Sequence, residues 1–176
     1  MIRFENILKS TLKEQKEIRE WRNDPKVRKF MYNREIITEE QHLKWIDSLK
    51  KSENIDVFFI IYAEQKIGIV SVKKISTKIY NWGIYLNNSV EKGKGIGREI
   101  GEKFLKFLFT NYEELEIIEY DVMSENLISL NLALGLGMKK CKEEKSLTIN
   151  NKKMNVTYLK ITKQDWRKYE KNKNNS

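Results

Sequence analysis

The sequence predicts a mixed α/β fold: a mostly antiparallel sheet with helices on both of its faces. Three observations predict it. Hydrophobic periodicity gives the element order ααβββαβαββ, with strands in a run instead of alternating with helices. Two capping boxes open helices before the first predicted strand. A glycine-rich loop then separates the third strand from a long amphipathic helix. A doubly wound parallel sheet would need regular βα alternation, which is absent.

Thr11-Leu12-Lys13-Glu14 has capping-box spacing and predicts a helix to about Trp21, stopped by Asn23-Asp24-Pro25. Thr38-Glu39-Glu40-Gln41 repeats the signal and predicts a helix to about Lys51, with Leu43, Ile46 and Leu49 on one face. Val57–Ala63 is nearly all apolar and predicts a central strand. Lys66–Ile75 follows the turn Glu64-Gln65, and Tyr80–Leu86 follows another polar turn. Residues 100–112 predict a helix, with Ile100, Phe104 and Leu108 at helical spacing. Glu116–Met123 predicts a strand, and Leu127–Leu136 a short helix ended by Gly137. Met138–Ile149 and Lys152–Ile161 predict two closing strands joined at Asn150-Asn151. One proline and no low-complexity linker predict a single domain over residues 1–162. The basic remainder, 163–176, reads as a frayed end.

Composition excludes several classes. At 40% hydrophobic and 11% aromatic, the chain of 176 residues can bury a core. Its most apolar stretch, VFFIIYA, is far shorter than the roughly 18 residues of a membrane span. MIRFENILKS lacks the form of a signal peptide, and one cysteine excludes an intrachain disulfide; both suit the cytoplasm. One Cys and one His predict no metal site. The net charge of +9 calls for either an anionic partner or a solvated lysine-rich surface. Acids interrupt the basic runs, so we expect no nucleic acid and no membrane as partner, but an anionic small molecule.

That molecule has a place to bind. EKGKGIGR (91–98) holds three of the eight glycines, flanked by Lys92, Lys94 and Arg98, at a strand-to-helix junction. The first amides of a helix have no intrahelical partner, and its dipole favours negative charge there. Glycine admits close backbone approach. The P-loop pattern GxxxxGK and the Rossmann spacing GxGxxG are both absent.

Lys92-Gly93-Lys94-Gly95-Ile96-Gly97 resembles the pyrophosphate loop of the GNAT N-acetyltransferase superfamily, Gln/Arg-x-x-Gly-x-Gly/Ala, with Lys92 at the Gln/Arg position. Trp21-Arg22-Asn23 is similar to the WRN found early in many relatives. Asn126, Ser129 and Leu136-Gly137-Met138 resemble the second motif, N-x-x-S/A…L-G-F. The resemblance implies acetyl-CoA as co-substrate, held by residues 92–98 (Ile96 and Gly97 included) and by Asn126. It also implies a splayed central pair of strands, with the pantetheine arm along Gly83, Ile84, Tyr85 and Leu86. The amide near Ile84 would then polarise the thioester carbonyl.

Acyl transfer to an amine needs a base for the amine and a donor to the leaving thiolate. Many relatives place a tyrosine seven residues after the motif's Asn; here that position is Ala133. Relatives resembling ribosomal-protein N-terminal acetyltransferases carry a serine at the position of Ser129, so Ser129 is either the thiolate donor or a capping residue. Asp121, an acid in an otherwise apolar strand, is the candidate base, with Glu125 second. The lone Cys141 is not required.

Within the superfamily, WRNDPKVRKFMY, EEQHLKWIDSL, GIYL and DVMSEN resemble the amino-sugar N-acetyltransferases of pseudaminic acid biosynthesis (PseH-type enzymes). That resemblance implies a UDP-linked amino sugar as acceptor, contacted by Arg22, His42, Lys74 and Tyr85, and leaves room for a homodimer. An N-terminal protein acetyltransferase and a non-catalytic CoA-binding module are the competing readings.

Overall fold

The computed structural model describes residues 1–90, 94–141, 145–149 and 152–174. Among these residues are six α-helices and eight strands, against the four and six predicted; the sheet is mostly antiparallel, as the sequence predicts. Two compact units interleave along the chain. One is Met1–Lys73 with Gly83–Lys92, the other Lys74–Trp82 with Gly93–Ser176.

In the first unit, β1 (Ile2–Asn6) pairs antiparallel with β2 (Ile55–Tyr62), which pairs antiparallel with β3 (Gln65–Lys74). β1 was not among the predicted strands. It makes β2 an inner strand, and Phe59 and Ile60 are fully buried there. The β2–β3 turn falls on Ala63 and Glu64, both at positive φ (47° and 64°), one residue earlier than predicted. Both capping boxes form. Thr11 and Glu14 close on each other at the start of α1 (Leu12–Asn23), and Thr38 and Gln41 do so at α3 (Glu39–Lys51). Pro25 opens the four-residue α2 (Pro25–Arg28), where its missing N–H costs nothing. Ile18 of α1 and Ile46 and Leu49 of α3 pack in one cluster with Val57, Phe59, Ile61 and Ile69. The third buried position of α3 is His42, 4% exposed; Leu43, predicted on that face, is 47% exposed. Positions 42, 46 and 49 follow the i, i+4, i+7 stripe, which shifts the buried face by one residue.

In the second unit, β4 (Ile79–Leu86) pairs parallel with β5 (Ile117–Met123) through Ile79↔Ile117, Tyr80↔Ile118 and Asn81↔Glu119. On its other side β5 pairs antiparallel with β8 (Lys152–Thr162) over its whole length, to Met123↔Val156. The short β6 (Lys139–Lys140) and β7 (Lys145–Ile149) both pair with β8. The predicted turn Asn150-Asn151 lies outside the described residues. α4 (Ile96–Asn111) buries Ile100, Phe104, Leu105 and Leu108, with Phe104 against Trp82 of β4 at 5.9 Å between ring centroids. α5 (Leu127–Gly135) crosses α4 where Gly101 lets Leu136 approach; a Cβ there would lie 2.5 Å from its Cδ1. The basic end is not frayed. Residues Lys163–Asn174 form α6, capped by Thr162 and Asp165 and anchored by Trp166, 3% exposed, stacked on Phe109. No helix among the described residues is long and apolar enough to cross a membrane.

Candidate active site

The glycine loop ends where α4 begins. Gly95 is the N-cap, at φ +74°, and no side chain caps the helix. That left-handed φ strains any residue with a Cβ. A Cβ on Gly95 or Gly97 would meet no atom within 4 Å, so the backbone is open to a ligand there. The amides of Arg98 and Glu99 already bond the Gly95 carbonyl (3.0 and 3.1 Å), which leaves the donors of Ile96 and Gly97 at the positive end of the helix dipole. These features fit a pyrophosphate. The Arg98 side chain turns the other way: its Nη2 donates to the Tyr169 hydroxyl at 3.0 Å, and its Nε lies 3.4 Å from Glu102. Lys94 is exposed. Lys92 and Gly93 lie outside the described residues.

The β4–β5 ladder stops at Asn81↔Glu119. Positions 120–123 of β5 pair with β8. Asp121 is half-buried in this stretch and accepts a hydrogen bond from Asn81 Nδ2 at 3.2 Å. Asn126 caps α5, its Oδ1 accepting from the Ser129 amide. Ser129 itself is half-buried. Ala133, one turn further on, is fully buried. Glu125 is exposed and lines a shallow polar depression with Ser124, Lys153, Met154 and Asn155. The second unit therefore gathers the helix terminus, Asp121, Asn126 and Ser129. Lys74 closes β3 and belongs to this unit as well.

The first unit contains a cavity of about 440 Å³. Its walls are Ile18, Ile37, Trp45, Val57 and Ile69, and its polar groups are Arg22, Asn33, Gln41, His42, Ser71 and Tyr85. Three residues predicted together, Arg22, His42 and Tyr85, are thus brought together. Arg22 donates through Nη2 to the Asn33 carbonyl, while its buried Nη1 has no partner among the described residues. Burial lowers the Arg22 pKa; Tyr85 opposes the shift and Arg28 adds to it. Burial pushes the Tyr85 phenol well up, and Arg22 pulls it partly back. His42 Nε2 donates to the Gln15 carbonyl at 2.8 Å, which sets the neutral tautomer. Burial, aided by Arg19, lowers its pKa.

Segment Ile84–Leu86, half-buried at the end of β4, is held against β3 by a glycine that sequence reasoning missed. A Cβ on Gly68 would lie 2.4 Å from the Tyr85 carbonyl oxygen and 2.9 Å from Leu86 Cα. Only Gly admits this approach, and its signal was a lone Gly inside a strand pattern. Gly83, where a close approach was predicted, is milder: its Cβ would lie 3.3 Å from Ser71 Oγ.

A left-handed glycine cap that leaves two amides at a helix N-terminus, in one unit with Asp121, Asn126 and Ser129, suits an acetyl-CoA-dependent N-acetyltransferase. Residues 7–139 match the family described as acetyltransferase (GNAT) domain, and the chain belongs to that family. It is 31% identical over 123 residues to "Acetyltransferase PseH" of Campylobacter jejuni subsp. jejuni serotype O:2, covering 70% of this chain and 72% of the relative. The crystal structure of Campylobacter jejuni N-acetyltransferase PseH in complex with acetyl coenzyme A superposes with a TM-score of 0.71 at 19% identity, over 93% of this chain and 99% of that one. Spermidine N-acetyltransferase from Vibrio cholerae, in complex with CoA and spermine, gives a TM-score of 0.82 at 16% identity, over 94% and 98%. The chain is accordingly a PseH-like member of the GNAT family and an N-acetyltransferase that uses acetyl-CoA.

Proposed function

We propose that the acceptor is the 4-amino group of a UDP-linked dideoxy amino sugar, in a cytoplasmic step towards pseudaminic acid and flagellin glycans. The observation that carries this reading is the cavity with Arg22 in its wall. A half-buried guanidinium whose Nη1 is enclosed without a partner is costly, and a phosphate oxygen is its natural complement. The apolar walls suit a deoxygenated sugar ring or a base, and Tyr85 offers a phenol beside them. His42, neutral, contributes a second polar edge.

In this reading the amides of Ile96 and Gly97 hold the pyrophosphate of CoA, and Ile84–Leu86 carry the pantetheine arm. The bound thioester supplies the activated acetyl group. Asp121, oriented by Asn81, takes the amine's proton through water, so that the nitrogen lone pair is free to attack. Ser129 donates a hydrogen bond to the leaving thiolate. Glu125, exposed, is the weaker candidate for the base.

The test is acetyl transfer from acetyl-CoA to UDP-linked 4-amino sugars and to peptide N-termini. Turnover of the sugars is expected. Turnover of peptides alone would select the N-terminal protein acetyltransferase, and CoA binding without turnover the non-catalytic module. Asp121→Asn and Ser129→Ala should each lower kcat at least about tenfold with CoA affinity unchanged. Wild-type rates in both would remove the assigned roles.

A further inference from the structure

Residues 29–38, between α2 and α3, form neither helix nor strand, yet Asn33 and Ile37 in this segment line the cavity of the first unit. Side chains at the ends of α1 and α2 hold its backbone. Arg22 Nη2 donates to the Asn33 carbonyl, and Arg28 Nη1 to the Arg34 carbonyl at 3.1 Å. Asn23, the last residue of α1, makes two hydrogen bonds to a single residue. Its Nδ2 donates to the Ile37 carbonyl at 2.9 Å, and its Oδ1 accepts from the Ile37 amide at 2.8 Å.

A primary carboxamide carries a donor and an acceptor side by side, so it can pair with a peptide as a residue of an antiparallel ladder does. The Ile37 amide only donates and its carbonyl only accepts, which fixes both ends of the Asn23 side chain. The contact reaches further than the segment itself. Ile37 immediately precedes Thr38, the N-cap of α3, whose capping box with Gln41 opens that helix. α3 then brings Gln41, His42 and Trp45 to the same cavity. Asn23 thus ties the end of α1, where Arg22 stands, to the start of α3. Asn23 and Ile37 are both half-buried, so losing the contact would strand two backbone groups partly out of water. Asn23 is not among the described residues that line the cavity.

We infer that Asn23 is a positioning residue for the acceptor: it sets the wall that holds Arg22 against the wall formed by Ile37 and α3, and so governs how tightly the cavity takes the molecule that carries the amine. Asn23 itself neither reacts nor contacts that molecule. This role rests on the reading above that the acceptor occupies this cavity.

The experiment is steady-state kinetics on the full chain, well below Tm, with acetyl-CoA and a UDP-linked 4-amino sugar, for wild type, Asn23→Ala, Asn23→Asp and Thr162→Ala. Asn23→Ala should raise KM for the sugar at least about tenfold, with kcat and KM for acetyl-CoA unchanged. Asn23→Asp keeps the shape and the acceptor for the Ile37 amide but cannot donate to the Ile37 carbonyl, so it should raise KM for the sugar too. Thr162→Ala removes the cap of α6 in the second unit; it should lower Tm and leave KM for the sugar at the wild-type value, which separates positioning from loss of stability. Hydrogen exchange across residues 33–38 should quicken in Asn23→Ala and not in Thr162→Ala. An unchanged KM for the sugar in Asn23→Ala, an equal rise in Thr162→Ala, or unchanged exchange across 33–38 would overturn the inference. Where the wild type turns over the sugar, any of these results counts against Asn23 and leaves the acceptor reading standing. If the wild type acetylates peptide N-termini and not the sugar, the sugar reading fails by itself. The same comparison of KM is then made on the peptide, where a rise in Asn23→Ala supports its role and no rise refutes it. If the wild type acetylates no amine, there is no acceptor to position and both readings fall.

Discussion

Gly68→Ala is expected to damage both stability and function. The new Cβ would meet backbone: the Tyr85 carbonyl oxygen at 2.4 Å and Leu86 Cα at 2.9 Å, with Leu86 Cδ2 also at 2.9 Å. A side chain could rotate aside, but a carbonyl inside a sheet moves only with its strand. Overpacking a core costs about 1–3 kcal/mol, and a backbone clash belongs at the upper end. For a chain of this size each kcal/mol lowers Tm by about 2–4 °C, so the loss should be on the order of 6–12 °C. Tyr85 also lines the cavity, so a displaced Tyr85–Leu86 segment should raise KM for the acceptor along with that for acetyl-CoA. Gly83→Ala is the control. Its Cβ would lie 3.3 Å from Ser71 Oγ, a side-chain atom that can give way, and the cost should stay below about 1 kcal/mol. Thermal melts and CoA titrations of the two variants decide the matter. A Gly68→Ala melt within about 2 °C of wild type, or no lower than that of Gly83→Ala, would refute the reasoning.

Two further outcomes are expected. Gly95→Ala forces a Cβ residue into φ +74° with no clash, so it should cost about 1–2 kcal/mol of strain and weaken CoA binding. Gly97→Ala, inside α4, should leave stability unchanged or raise it, and any affinity it loses then isolates close approach to the phosphates; equal melts for the two variants would contradict this account. Because burial lowers the His42 pKa, the folded state takes up this proton less readily than the unfolded chain, whose value is about 6.5. The stabilisation from neutral His42 is present above about pH 6.5 and is lost as pH falls from there through the folded value. His42→Gln should flatten this limb of Tm against pH, although Arg19 and Glu39 still act on the site; an unchanged limb would show that His42 does not cause it.

The helices with strong local signals were legible. Thr11–Glu14 and Thr38–Gln41 carry capping boxes whose chemistry is complete within four residues. The same kind of signal stood at Thr162–Asp165, where the high charge of the following segment obscured it; α6 depends on one apolar anchor, Trp166, not on a stripe. β1 was too short for periodicity to stand out, and pairing with β2 is what makes it a strand. Arg22, His42, Lys74 and Tyr85 were expected together; Arg22, His42 and Tyr85 line one cavity, and Lys74 is not among its lining residues. Their burial, the orphaned Nη1 and the tautomer of His42 were invisible, because each depends on chain distant in sequence. Arg98 shows the limit from the other side. It belonged to the glycine loop by position, yet Tyr169, 71 residues on, engages its side chain.

Likeness of fold does not choose the acceptor; the proposed anionic acceptor rests on the charge of the cavity. The spermidine acetyltransferase superposes with a TM-score of 0.82, against 0.71 for the PseH complex, yet at 16% identity that shows a shared fold and nothing about the amine. A polyamine carries a positive charge on every nitrogen but the one that reacts, and its site must offer carboxylates. Among the described residues lining this cavity none is acidic, and the one formal charge is Arg22. Without a counter-ion in the wall, a second cation would have to enter beside that guanidinium, which is a like-charge cost in a partly desolvated space. An acceptor with a phosphate reverses the sign of the interaction, and relieves both the orphaned Nη1 and the desolvation that lowers the Arg22 pKa. On the proposed reading, the amine to be acetylated sits at the uncharged end of an anionic molecule.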